Sequence, residues 1–239
     1  MALDIIQQNP FIFAFIFGLF PALIWLWFWL KEDKHPEPVK MITLSFLGGM
    51  LAVLFVLPFQ KVVHHYWQDF EFVAFTLWAG IEEIIKFAIV WFIALRNKKV
   101  TNEPVDDVIY LIIAALGFVT LENALFLWKP LTDGDLIEVV IYGNLRFIGA
   151  SLLHVMSSAT IGILMAFAFY KSKFKKVLYT SVGILLAIVL HTAFNLFIIN
   201  NTHGNILFIF AEVWVGIVVI LLLFEKIKHI RKRFTNFNN

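Results

Sequence analysis

The sequence predicts an all-α fold, a polytopic bundle of transmembrane helices, and three observations carry that reading. Of 239 residues, 61% are hydrophobic and only 15% charged, whereas a soluble domain holds roughly 45–50% apolar and about 25% charged residues. Mean hydropathy is +0.84. The apolar residues fall in uncharged runs of about 20, each long enough to cross ~30 Å of hydrocarbon at ~1.5 Å per residue. The runs lack the alternation of barrel strands, and backbone polar groups cannot stay unsatisfied in lipid, so helices are what remains. The pattern excludes a soluble enzyme, a secreted scaffold, a nucleic-acid binder and a disordered regulator. The chain has no cysteine, which removes disulfides, iron–sulfur clusters and thiol chemistry.

Polar or charged breaks divide the chain into seven candidate spans, approximately 9–30, 39–59, 73–95, 106–128, 147–170, 177–199 and 206–224. The first begins with no Lys or Arg before it and runs too long for the apolar region of a signal peptide, so it reads as a span. The second follows Asp33-Lys34-His35-Pro36-Glu37-Pro38, and the fourth follows Glu103-Pro104 with Asp106 and Asp107. Proline near a first turn and acids at a helix N-terminus suit the missing N–H and the helix dipole, so these acids read as helix punctuation. The third span carries charges in its middle. Asp135 to Asn144 would lengthen the fifth span to about 50 Å, and reads instead as an interfacial or re-entrant lead-in. The sixth and seventh spans close the bundle. No repeat or soluble appendage is evident, and residues 1–239 read as one transmembrane domain.

Orientation follows from the basic residues. Fifteen Lys and Arg residues lie after spans one, three and five and in the tail, against Lys61 and Lys129 on the other side. Positive charge marks the cytoplasmic face, which predicts N-terminus out and C-terminus in.

Ionisable side chains at membrane depth each ask for a reason. The third span reads Trp78-Ala79-Gly80-Ile81-Glu82-Glu83-Ile84-Ile85-Lys86. The two glutamates diverge by ~100° and Lys86 falls between them in angle, so one ammonium is expected to serve both acids. Two carboxylates at one site titrate as a pair with one raised step, which suits a general base. The fourth span offers Glu122 with Asn123, the fifth His154 with Ser158 one turn on, and the sixth His191 with Asn195 one turn on. By ~1.5 Å rise per residue, Glu82, Glu122, His154 and His191 lie about 14, 9, 10 and 12 Å below the outer surface, although two of their helices run opposite to the other two. A single polar cavity open toward the outer face explains that shared level.

The inventory suits hydrolysis of an amide by a carboxylate-activated water, the histidines either binding a metal or stabilising an oxyanion. Two histidines and a carboxylate, His154, His191 and Glu122, suit a zinc site with an open position, and a metal-free version uses the same residues.

Glu82-Glu83-x-x-Lys86, Phe118-x-x-x-Glu122-Asn123, His154-x-x-x-Ser158 and His191-x-x-x-Asn195 resemble the successive motifs of the PrsW family of intramembrane proteases. That family stands with the type II CAAX prenyl endopeptidases and the bacteriocin-processing membrane proteases. The resemblance also takes in Asp33 to Pro38 and Asp107 with Tyr110. It implies catalytic roles for Glu82, Glu83 and His154, with Lys86 beside them and Asn195, Glu122 and His191 in accessory or ligand positions. Glu122 stands where the CAAX branch has histidine, which argues against a prenylated peptide as substrate. The implied substrate is a membrane-anchored protein such as an anti-sigma factor, cut on its extracytoplasmic side in a bacterial cell membrane, with zinc as the implied cofactor and no role for nucleic acid. Two other readings stay open. An ion-coupled transporter would show repeated or broken helices, and an inactive scaffold of the same superfamily would have no need of both glutamates and both histidines. A retinal pigment would carry its lysine on the last helix rather than among acids on the third.

Overall fold

A computed structural model describes residues 8–200 and 206–230. Among these residues there are helices and short connections and no strand. The helices are α1 (Pro10–Glu32), α2 (Val39–Trp67), α3 (Glu71–Val90), α4 (Pro104–Asp133), α5 (Leu136–Leu145), α6 (Ser151–Phe167), α7 (Lys173–Asn200) and α8 (Ile206–Lys228). One π-helical turn, Trp91–Leu95, extends α3, and another, Arg146–Ala150, joins α5 to α6.

Local chemistry sets the boundaries. Pro10 opens α1 in its first turn, where a missing N–H does no harm. The extended stretch at Asp33 and Pro38 separates α1 from α2. Glu103 and Asp106 form a reciprocal capping box at the start of α4, as the punctuation reading of those acids expects. Gly134 ends α4 with φ 75°, a left-handed conformation open to glycine without strain.

Among the described residues four helices are long and apolar enough to cross a membrane: α1, α2, α4 and α7 over Lys173–Phe197. α3, at 20 residues, is shorter than these but still long enough to span, and carries Glu82, Glu83 and Lys86 in its middle. α6 has 17 residues and gains its length from the π turn before it. Asp135 to Asn144 therefore differs from the expected lead-in. Helix runs without a break from Leu136 to Phe167, roughly 48 Å, and the π turn absorbs a change of register within it. α2 likewise continues past Pro58 to Trp67, so that Gln60 still belongs to the helix.

α4 is the axis of the bundle. Every residue from Pro104 to Thr120 is buried, with α1, α2 and α6 packed around it. α2 crosses it at two glycines. A Cβ on Gly49 would lie 1.9 Å from the Ala114 carbonyl oxygen, and one on Gly117 1.9 Å from that of Phe46. Such backbone approach is how membrane helices gain dispersion contact without a hydrophobic driving force.

The basic end of the bundle is tied down by acids. Tyr110 donates a short hydrogen bond to Glu37. The His35 backbone N–H donates to Asp33 at 3.0 Å, and the His35 ring lies 3.0 Å from Glu103. Asp33 and Glu37, read as punctuation and within the stretch the resemblance takes in, are buried. Glu37 through Tyr110 and His35 through Glu103 fasten the first loop to the start of α4, and Asp33 orders the loop itself.

Candidate active site

At the other end, α2, α4 and α7 finish while α3 and α6 begin, and a cavity of about 470 Å³ opens between them. Its walls are largely apolar, from Val53 and Val56 on α2 to Phe118 and Leu125 on α4. Polar groups converge on it from five helices and a π turn: Gln60, Glu82, Glu122, Arg146, His154, His191 and Asn195. The groups expected at one depth do share one cavity.

Glu82 and Glu83 part company within it. Glu83 is fully buried, and its Oε1 accepts from Lys86 Nζ at 2.7 Å, three residues along the helix. The same oxygen lies 2.8 Å from His191 Nδ1. A carboxylate can only accept, so His191 donates from Nδ1 and in its neutral form presents Nε2 as a lone pair. That Nε2 lies 3.7 Å from Glu82 Oε2. Glu82 lines the cavity, and its Oε1 accepts from Gln60 Nε2 at 2.7 Å.

The expected sharing of Lys86 by both acids therefore takes a different form. Lys86 bonds to Glu83, not Glu82, and its next donor goes to His154 Nδ1 at 3.1 Å. Helix angle alone left both acids in reach, and the histidine of α6 draws the ammonium to the Glu83 side. His191 is what links the two carboxylates.

His154 is fixed from both sides. Nδ1 accepts from Lys86, so Nε2 carries the proton and donates to Glu122 Oε2 at 3.3 Å. Its ring packs 5.1 Å from Phe118 and edge-on to His191 at 4.9 Å. Glu122 in turn accepts a short bond from Arg146 Nη2, while Arg146 Nε donates to Asn123 at 2.7 Å. The guanidinium lies 3.7 Å over the Phe126 ring. Arg146 and Gln60 are the two site residues that sequence reasoning left out. Arg146 had one signal, a charge that fitted neither face of the membrane. Gln60 had none, since it stands two residues after Pro58, just past the end of the expected span at 59. Ser158, one turn from His154, is buried in α6 and does not line the cavity.

A profile described as PrsW family intramembrane metalloprotease matches residues 37–224. The chain belongs to the PrsW family. The matched stretch takes in every residue of the cluster. The Protease PrsW of Geobacillus kaustophilus (strain HTA426) is 31% identical over 188 residues, 74% of this chain and 76% of that protein. That of Oceanobacillus iheyensis (strain DSM 14371) is 32% identical over 184 residues, 74% of this chain and 79% of its own. That of Bacillus subtilis (strain 168) is 27% identical over 185 residues, with the same two coverages. No solved structure matches the chain. As a member of the PrsW family the chain is a peptide hydrolase of the bacterial cell membrane.

The PrsW description includes a metal, and the cluster offers a set that fits one. Glu82, His154 and His191 each present a ligand atom, all within 4.8 Å of one another. Glu82 Oε2 is buried without a hydrogen-bond partner, beside the Nε2 of His191. Glu83 on the far nitrogen of that ring repeats the carboxylate–histidine pairing that orients metal-bound imidazoles. Two histidines and a carboxylate suit zinc. His154 enters such a set by releasing either Lys86 or Glu122. The trio differs from the expected Glu122, His154 and His191. Among the described residues the carboxylate within reach of both histidines is Glu82; Glu122 reaches His154 and is paired with Arg146.

Proposed function

We propose that the chain is an intramembrane endopeptidase that hydrolyses a peptide bond of a membrane-anchored protein with a water activated by Glu82. The observation that carries this reading is the free Oε2 of Glu82, at the wall of a cavity where two histidines and a side-chain amide converge. Glu82 takes a proton from water as its oxygen attacks the carbonyl carbon, and returns it to the amide nitrogen as the C–N bond breaks. Asn195 is the neutral donor aimed at the carbonyl oxygen as its charge grows. Glu83 and Lys86 are positioning residues. They hold the proton of His191 on Nδ1 and the lone pair of His154 toward the ammonium. In the metal-bound form Glu82, His154 and His191 would instead hold zinc, which would supply an acidified water and a Lewis acid for the carbonyl in place of Glu82 acting as the free base.

The same reading makes residues 1–239 one catalytic domain of about seven spans, N-terminus out and C-terminus in. Burial of the site at the end away from the lysine-rich loops supports cleavage on the extracytoplasmic side. A single-span regulator such as an anti-sigma factor, cut in a first step, suits that side.

The test compares protein N-termini in membranes of cells expressing the wild-type chain or Glu82→Gln. New termini near the outer edge of membrane-anchored proteins should appear with the wild type and vanish with the variant. Identical sets of termini would overturn the reading and favour a transporter or scaffold.

A further inference from the structure

A second cavity, about 560 Å³, lies between α3 and α7 at the end opposite the active site. Its walls are apolar: Ile84, Phe87 and Trp91 on the α3 side, Val177 and Ile184 on the α7 side. Three lysines line it as well, Lys98 from the loop after α3, and Lys173 and Lys176 from the first turn of α7. Lys98 and Lys176 both face the ring of Phe169, at 5.7 and 5.3 Å. Among the described residues none of the three has a carboxylate within ion-pairing distance. Asp107, buried at the start of α4, is the single acid of the lining and leaves an excess of two positive charges.

Three ammonium groups gathered round one opening repel each other unless an anion lies between them. The walls below set a second requirement. A free phosphate would meet the lysines and leave Ile84, Phe87 and Trp91 unfilled, and an acidic peptide would place polar backbone against them. A ligand with an anionic head and an acyl chain satisfies both, and basic pockets between membrane helices on the cytoplasmic side are of this kind. We propose that the groove binds an anionic phospholipid, its phosphate among Lys98, Lys173 and Lys176 and one acyl chain along Ile84, Phe87 and Trp91. The lipid sits between the two helices that carry Glu82, Glu83 and His191, so it acts on the spacing of the site from its far end.

Trp91 provides the readout. Purified chain in nanodiscs is titrated with brominated phosphatidylglycerol or brominated phosphatidylcholine, and the quenching lost in Trp91→Phe is taken as the signal from the groove. Phosphatidylglycerol should reach half-quenching at roughly thirtyfold lower mole fraction than phosphatidylcholine in low salt, the scale of two uncompensated lysines. The triple variant Lys98→Gln, Lys173→Gln, Lys176→Gln should lose that preference while quenching by phosphatidylcholine and thermal melting stay as in wild type. Lys99→Gln with Lys175→Gln, lysines of the same segments that do not line the groove, should keep it. If the triple variant does not fold, Lys98→Gln alone should lower the preference a few-fold. Equal quenching by both lipids in the wild type, as expected of a groove filled by an acidic protein segment, overturns the proposal. So does a preference that survives the lysine substitutions.

Discussion

His191 on α7 stands between the two adjacent glutamates of α3, its Nδ1 2.8 Å from Glu83 Oε1 and its Nε2 3.7 Å from Glu82 Oε2. The ring gives two neighbours in sequence unlike tasks. Each keeps an Oε2 without a hydrogen-bond partner, but Glu83 is buried against Lys86 and the Nδ1 proton, while Glu82 lines the cavity.

Removing the charge of either glutamate should therefore stop cleavage for different reasons. Glu82→Gln should lose about 10²-fold or more in rate, the scale of a missing general base, with melting in detergent close to wild type. Glu83→Gln strands Lys86, which is 1% exposed, and breaking one side of a buried pair destabilises by roughly 3–5 kcal/mol. A Glu83→Gln protein that melts and cleaves like the wild type would contradict the division of roles.

Arg146 holds Glu122 and Asn123 with two different nitrogens. Lysine brings one point charge and cannot reproduce that fork. Arg146→Lys should lower kcat about tenfold through a loosened Glu122 and His154, with KM little changed, and Arg146→Gln should lower it further. Wild-type kcat in both variants would remove Arg146 from the site.

The glutamates and histidines were legible because each stands out against an apolar run in which a charge is expensive. Their common depth was legible from helical rise alone. What sequence could not supply was the choice among partners. Helix angle let Lys86 reach both acids, and His154, 68 residues away in sequence, decides between them. The three groups within reach of one shared ion include Glu82 where Glu122 was expected, and Glu122 is paired with Arg146, which lies in a segment whose helix is too long to be expected as continuous. A π turn at Arg146–Ala150 leaves no mark in hydrophobic periodicity.

The acids at the basic end predict a pH effect independent of the active site. Burial pushes Glu37 up from its usual 4.5 to about 8, against the hydrogen bond from Tyr110 and with help from the negative charge of Asp106. An acid whose pKa is raised by folding binds its proton more tightly in the folded chain. Its stabilising contribution is fully present below the unfolded value and is lost as pH rises through the folded one. Melting temperature should thus fall as pH rises from about 5 to beyond 8, and Glu37→Gln should flatten that slope. A slope unchanged by the substitution would assign the effect to another group.

Topology can be read without background because the chain has no cysteine. A single cysteine at Thr132, exposed at the end of α4, should react with an impermeant maleimide in intact cells, and one at Ser172, exposed between α6 and α7, should not. The reverse pattern would turn the active-site cavity toward the cytoplasm and move cleavage to that side.

Metal content separates the two forms of the site, and Glu82 against Glu122 is the sharpest comparison. If zinc is held by Glu82, His154 and His191, the ligands must be deprotonated and a chelator must compete for the ion. Exhaustive chelation should abolish cleavage and zinc should restore it. His154→Ala, His191→Ala and Glu82→Gln should each lower zinc bound per chain. Glu122→Gln should keep its zinc, since Arg146 and His154 are its partners, and should lose rate by releasing His154. Loss of zinc in Glu122→Gln but not in Glu82→Gln would reverse the assignment of ligands. A zinc-free preparation with full activity would instead leave Glu82 to activate water alone, with His191 Nε2, 3.7 Å from it, as the neighbour that takes up or returns the proton. His191→Ala would still cost rate in that case, but no added metal would alter the loss.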